Sequence, residues 1–235
     1  MSRRARLAGF LYFLLFPTTG LWFALTGSLL NGDTATTLAN VAANRTRLEI
    51  AIVAGASGFV DFLILGVVLY QLFSPSAKIG AGILLAFVVA SATLSLAVMA
   101  RQMDVLSILD LGGEQAALQV TLALRSANNL FLVTDIFSGL WLIPLGWLGM
   151  RSRLLPRVIG FALIAGSVFY VMTFVGTVFQ PAYANSIAAR VIGIVSGVPG
   201  FLGEAGTMFW LMLKGAGNQS VTVAAAQPAG SLSDL

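Results

Sequence analysis

Residues 48–73 read LEIAIVAGASGFVDFLILGVVLYQLF, and residues 79–100 read IGAGILLAFVVASATLSLAVMA; Ser74-Pro75-Ser76-Ala77-Lys78 joins them. A helix rises about 1.5 Å per residue and bilayer hydrocarbon is about 30 Å thick, so each run is long enough to cross once. The junction, holding a proline and a lysine, is only long enough to turn the chain back at the surface. Hydrocarbon offers no water to the backbone, so both runs are expected to be helices. The pair reads as a membrane hairpin.

The same pattern extends outward from it. Leu7–Gly27 precedes the hairpin, and Asn129–Met150, Val158–Val178 and Val191–Leu213 follow it. Of 235 residues, 58% are hydrophobic and 9% are charged. A soluble domain carries roughly 25% charged residues, so most of this surface must face lipid. The expected fold is all-α, a polytopic membrane bundle of about six transmembrane helices. Residues 1–215 form one transmembrane domain, and the small polar tail 216–235 is expected to be disordered. Arg3, Arg4 and Arg6 precede an apolar run longer than a signal-peptide core of ~7–15 residues, so that run is taken as a retained first span.

The basic residues set the orientation. Arg3, Arg4, Arg6, Lys78, Arg151, Arg153, Arg157 and Lys214 fall on one side, against Arg45, Arg47, Arg101, Arg125 and Arg190 on the other. The richer side is assigned to the cytoplasm, which places both termini there in a multi-pass cell-membrane protein of inner- or plasma-membrane type. Scattered at helix ends, these cations do not form a nucleic-acid patch. The outer connections Asp33–Asn44 and Gly113–Ser126 are expected to be short interfacial helices.

The chain has no histidine and no cysteine. Disulfides, thiol nucleophiles, thiolate or imidazole metal sites and histidine bases are therefore excluded. No phosphate loop, dinucleotide fingerprint or nucleophile elbow occurs. No cofactor, catalytic residue or metal is expected. The partners expected are the lipid bilayer and a lipid or small-molecule ligand; no oligomeric state is implied.

The strongest chemical signal is one acid in each of three descending spans: Asp61, Asp135 and Glu204. Their heights above the cytoplasmic helix ends are ~18, ~22 and ~15 Å. A charge at mid-bilayer costs about 2.5–3.5 kcal/mol on insertion scales, which favours the bundle interior. Asn128 extends the polar stripe outward from Asp135. Two readings follow: a shared proton or cation site, or acids individually satisfied by hydroxyl, indole or arginine partners. Pro199, with Gly197 and Gly200 beside it, is a candidate hinge five residues before Glu204. Tryptophans and tyrosines near segment ends read as interfacial anchors.

Several stretches carry a family resemblance: Arg6-Leu-Ala-Gly-Phe-Leu-Tyr12; Asp61 followed by Leu69-Tyr70-Gln71-Leu72-Phe73-Ser74-Pro75; Gly139-Leu-Trp141 leading to Arg151-Ser-Arg-Leu-Leu-Pro-Arg157-Val-Ile-Gly160; and Gly203-Glu204 leading to Trp210-Leu-Met-Leu-Lys214-Gly215. In order and spacing, over roughly residues 6–215, they resemble the bacterial integral-membrane family catalogued as domain of unknown function 4386. The resemblance implies a helical membrane architecture and no assigned activity. Where many members carry a histidine in span four this chain has Trp141, so chemistry requiring that imidazole is not expected. Three functions stay open: a small carrier coupled to protons or cations through the buried acids, a non-catalytic binder of a lipid or membrane partner, and, with least support, an intramembrane enzyme.

Overall fold

A computed structural model describes residues 3–27, 29, 34–113 and 115–213. The tail 216–235, Lys214, Asp33 and Glu114 lie outside the described residues. Within them the chain is helical and contains no strand. The elements are α1 (Arg3–Gly27), α2 (Thr34–Ala43), α3 (Arg45–Leu111), α4 (Ala116–Leu140), α5 (Leu142–Arg151), α6 (Arg157–Phe179), α7 (Ile187–Ile192), a π-helical turn (Gly193–Gly197) and α8 (Val198–Leu213). Among the described residues, five helical stretches are long and apolar enough to cross a membrane: α1, α3, α4 with α5, α6, and α7 through α8. Their outer faces are oily; Ile79 is 82% exposed, Val158 80% and Phe201 60%, as lipid-facing positions should be.

The 67-residue α3 is a hairpin rather than a rod. Its helical backbone breaks at Ala77 (φ −157°, ψ 72°), two residues after Pro75. Pro75 supplies no N–H to the Gln71 carbonyl one turn before it. Ser76 Oγ donates to the Phe73 carbonyl at 3.0 Å beside the break. The arms then run back along each other. A Cβ on Gly66 would meet Val88 at 2.6 Å, and one on Gly55 would meet Met99 at 2.6 Å. At the open end of the hairpin, opposite the Ala77 turn, Arg45 grips Asp110 through both guanidinium nitrogens, the Nη2–Oδ2 bond measuring 3.0 Å. Each of these pairs is centred on residue 77, which fixes the register of the two arms.

Glycine at Gly112 and Gly113, with φ of 63° and 100°, makes the next reversal in a region that side chains disfavour. The short helix expected at Gly113–Ser126 is not a separate element. It forms the opening turns of α4, which continues through Asn128 and Asn129 to Leu140. Val120, Leu124 and Ala127 are buried in a cluster with Val98 and Val105 of α3, so packing on α3 keeps the helix continuous. The other expected outer helix exists as α2, packed on α3 and α4. The chain bends at Trp141, between α4 and α5, where Pro144 leaves the Leu140 carbonyl without its helical donor.

α1 packs along the first arm of α3, with Thr18 against Gly58 and Trp22 against Gly55. Its other side meets α8, where Gly9 touches the Met212 backbone. These contacts gather the starts of α1 and α6, the Ala77 turn and the end of α5 at one basic end of the bundle. Arg45, Arg101 and their acid partners occupy the far end.

Candidate functional site

In lipid, helices gain little by hiding apolar side chains from one another, so close backbone approach and interhelical hydrogen bonds position them. α8 shows both. A Cβ on Gly166 would lie 2.4 Å from the Gly200 Cα, and one on Gly203 would lie 2.8 Å from the Leu163 nitrogen. Backbone therefore rests on backbone along α6. Ser196, buried in the π turn, donates to the Ala165 carbonyl of α6.

This seating brings Glu204 between α1 and α6. Tyr12 donates its hydroxyl to Glu204 Oε2 at 3.1 Å, and Tyr170 donates to Oε1 at 3.3 Å. Tyr12 is fully buried. Its ring packs 5.7 Å from Trp141, which sits 5.0 Å from Phe62. A rigid aromatic stack thus backs one of the two donors.

On the side away from that stack a cleft of about 570 Å³ opens between α1, α6 and α8. Leu15, Phe16, Phe169 and Phe201 make apolar walls, and Glu204 with Tyr170 supplies the polar floor. One wall is the π turn. There the Val198 N–H bonds the Gly193 carbonyl, five residues back, just before Pro199, which has no N–H to give. Widened turns of this kind frequently occur at functional sites. Of the expected hinge residues, Gly197 lines the cleft, Pro199 is half-buried beside it, and Gly200 is the contact point with α6.

The other predicted residues lie on α3 and α4. Asp135 is half-buried on α4 and lies within electrostatic reach of Tyr170, so one tyrosine relates it to Glu204. Asp61 is half-buried on α3, with its Oδ2 enclosed and without a hydrogen-bond partner. Asn128 is exposed. The rings of Tyr12, Phe62 and Trp141 fill the centre of the bundle, and no three acids among the described residues approach closely enough to hold one metal ion. Of the two readings open from the sequence, individual satisfaction describes Glu204.

Tyr12 carries no signal in the sequence beyond its place inside the first apolar run, and only the packing of α1 on α8 brings it to Glu204. Trp22 and Trp141 are buried rather than interfacial; Trp22 donates to Gln102 Oε1 at 3.0 Å. At the far end Arg45 holds the Asp110 carboxyl below its ordinary value by hydrogen bonding and charge, so this exposed tie remains ionised at mildly acidic pH.

No curated protein and no solved structure matches the chain. The family model described as Domain of unknown function (DUF4386) matches residues 7–215, and the chain belongs to that family.

Proposed function

We propose that this membrane protein binds a small, mainly apolar molecule whose cationic or hydroxyl head reaches Glu204. The carrying observation is the cleft itself, with aromatic walls and a single carboxylate floor positioned by two tyrosines. Ligand pockets commonly combine apolar walls with a few placed polar groups. The tyrosines use one bond on each carboxylate oxygen, which leaves further acceptor capacity for a ligand. Half-exposed Phe201 and Leu202 at the rim direct the mouth toward acyl chains, so entry is from within the bilayer.

The test uses full-length protein in nanodiscs with a long-chain alkylammonium probe, its matched alcohol and its matched carboxylate. The ammonium should bind tightest, and Glu204→Gln should weaken it about tenfold or more while sparing the alcohol. Equal binding of all three probes, or no effect of Glu204→Gln, refutes the reading.

A second reading is a carrier coupled to protons or cations. The π turn and Pro199 in the cleft wall favour it, because irregular helices build many transporter sites. Its requirement is flux of the same ammonium probe in proteoliposomes that Glu204→Gln abolishes. We also place the chain in the bacterial inner membrane with six crossings and both termini cytoplasmic, since the arms of α3 each exceed the bilayer thickness. The absence of native cysteine makes labelling clean: Ser152→Cys should react only from the cytoplasmic side and Ser186→Cys only from the outside. Labelling of both from one side rules that topology out.

A further inference from the structure

The two ends of the bundle treat charge differently. At the far end Arg45 pairs with Glu49 and Asp110, and Arg101 pairs with Asp104. The basic end carries Arg3, Arg4, Arg6, Lys78, Arg151, Arg153 and Arg157, and none of the described acids lies there.

Within that end the Ala77 turn and α5 enclose a groove of about 670 Å³. Lys78 and Arg151 stand at its mouth, and Arg151 lies over the Trp147 ring, 5.0 Å from its centroid. Below them Ile79, Ile83 and Ile143 form an oily trough, all three exposed. Ile83 and Ile143 lie about one and two helical turns further from the basic end than Lys78 and Arg151. Gly80 lets Trp147 close on α3, since a Cβ there would meet the indole at 3.2 Å.

We propose that this groove is a binding site for one anionic phospholipid. The phosphate and its headgroup lie between Lys78 and Arg151, and the first methylenes of an acyl chain run along Ile79, Ile83 and Ile143. Charge complementarity selects this occupant: two cations lack an acidic partner among the described residues, at the depth where a phosphodiester sits. Basic pockets between membrane helices on the cytoplasmic side recognise anionic headgroups in this way. A zwitterionic lipid would bring a third cation into a site that already holds two. A water-soluble anion would leave the trough unused. The site is separate from the Glu204 cleft and stands or falls independently of it.

The experiment titrates full-length protein in mild detergent with phosphatidylglycerol or phosphatidylcholine of the same chains, counting bound lipids by native mass spectrometry. Wild type should retain one phosphatidylglycerol in preference to phosphatidylcholine. Lys78→Gln with Arg151→Gln should weaken that lipid about thirtyfold, from the usual contribution of basic residues at lipid surfaces. The charge-keeping swap Lys78→Arg with Arg151→Lys should retain most of the binding, which separates loss of the site from loss of fold. Glycerol phosphate, which has a headgroup but no chains, should not displace the lipid. Equal retention of both lipids by wild type, unchanged binding in the glutamine double variant, or displacement by glycerol phosphate would each overturn the proposal.

Discussion

Gly200→Ala is the sharpest test of how α8 is seated. A Cβ at Gly200 would sit 2.6 Å from the Gly166 Cα, a backbone atom on a neighbouring helix. Ordinary carbon–carbon contact is about 3.5–4.0 Å, so the helices must part by roughly 1 Å or tilt. No side chain can rotate away to absorb this. Overpacking of this kind costs typically 1–3 kcal/mol, against at most about 1 kcal/mol gained from replacing glycine in a helix. A net loss of up to about 2 kcal/mol is expected even with that gain taken in full. The same movement stretches the Tyr170–Glu204 bond, already at 3.3 Å, beyond hydrogen-bonding distance. Reversible unfolding in mixed micelles, followed by tryptophan fluorescence, measures the first effect; the tyrosine hydroxyl and carboxylate infrared bands report the second. Gly82→Ala is the control, because nothing lies within 4 Å of a Cβ there; it should be neutral or stabilising by up to about 1 kcal/mol. Once one Cβ has separated the helices a second costs less, so Gly166→Ala combined with Gly200→Ala should be less destabilising than the sum of the single changes. If Gly200→Ala is as stable as Gly82→Ala, the backbones of α6 and α8 do not touch and the seating of Glu204 is wrong.

Tyr12→Phe and Tyr170→Phe each remove one donor to Glu204, and should cost about 0.5–2 kcal/mol in micelle unfolding, the range of interhelical hydrogen bonds in membranes. Ser95 is fully buried with an unpartnered hydroxyl, whereas Ser91 meets Ser138 at 3.0 Å; Ser95→Ala should therefore be neutral or stabilising and Ser91→Ala destabilising by about 0.6 kcal/mol in the same assay. Arg45 depresses the Asp110 pKa, so the open end of the α3 hairpin keeps this contribution above the ordinary carboxylate value and loses it only as pH falls through the lowered one. Asp110→Asn should abolish that acid step in a pH titration of the amide shifts around Arg45 and Asp110, while a step that persists would assign it to another group.

Much of the architecture was readable because lipid leaves few options. Two runs around Ser74–Lys78 had to be helices, and the proline and lysine between them marked the turn. Gly112-Gly113 marked the next. What could not be read was rotation about each helix axis. In a soluble protein the apolar stripe points inward; here both the interior and the lipid are apolar, so hydrophobic pattern carries little orientation. That is why the depth of the three acids could be read but not their neighbours: the structure brings Tyr12 and Tyr170 to Glu204 and leaves Asp61 Oδ2 without a hydrogen-bond partner. Asn128 shows the same limit in another form. It shares a helix face with Asp135, but Gly139 packs on Ser167 and Tyr170 in antiparallel register, which sets Asn128 level with the last turn of α6. The interior has ended there, and the amide faces outward. The continuity of α4 was hidden for a different reason. Its opening turns look interfacial alone and become part of a longer helix only when α3 covers Val120 and Leu124.

The cleft follows from how α8 meets its two neighbours. At the basic end Gly9 lets α1 touch the backbone of Met212. About two turns further along α8, Tyr12 and Glu204 span the gap with a side chain from each helix, and beyond them Phe16 and Phe201 meet only edge to ring at 6.0 Å. α1 and α8 therefore diverge toward the far end, while Gly203 and Gly200 hold α8 against α6 along the same stretch. One face stays zipped as the other opens, so the space is a wedge with Glu204 at its apex. The π turn lies where the wedge is widest, and Ser196 anchors that turn to α6 rather than α1. A ligand pressing the wedge apart would work against the Tyr12 bond and the Gly9 contact; a ligand filling it would leave both intact. The two are separable in a single measurement. Ligand-dependent crosslinking between cysteines introduced at Thr19 and Val198 reports the width of the mouth, and Tyr12→Phe should widen it only if the tyrosine bond holds the apex closed.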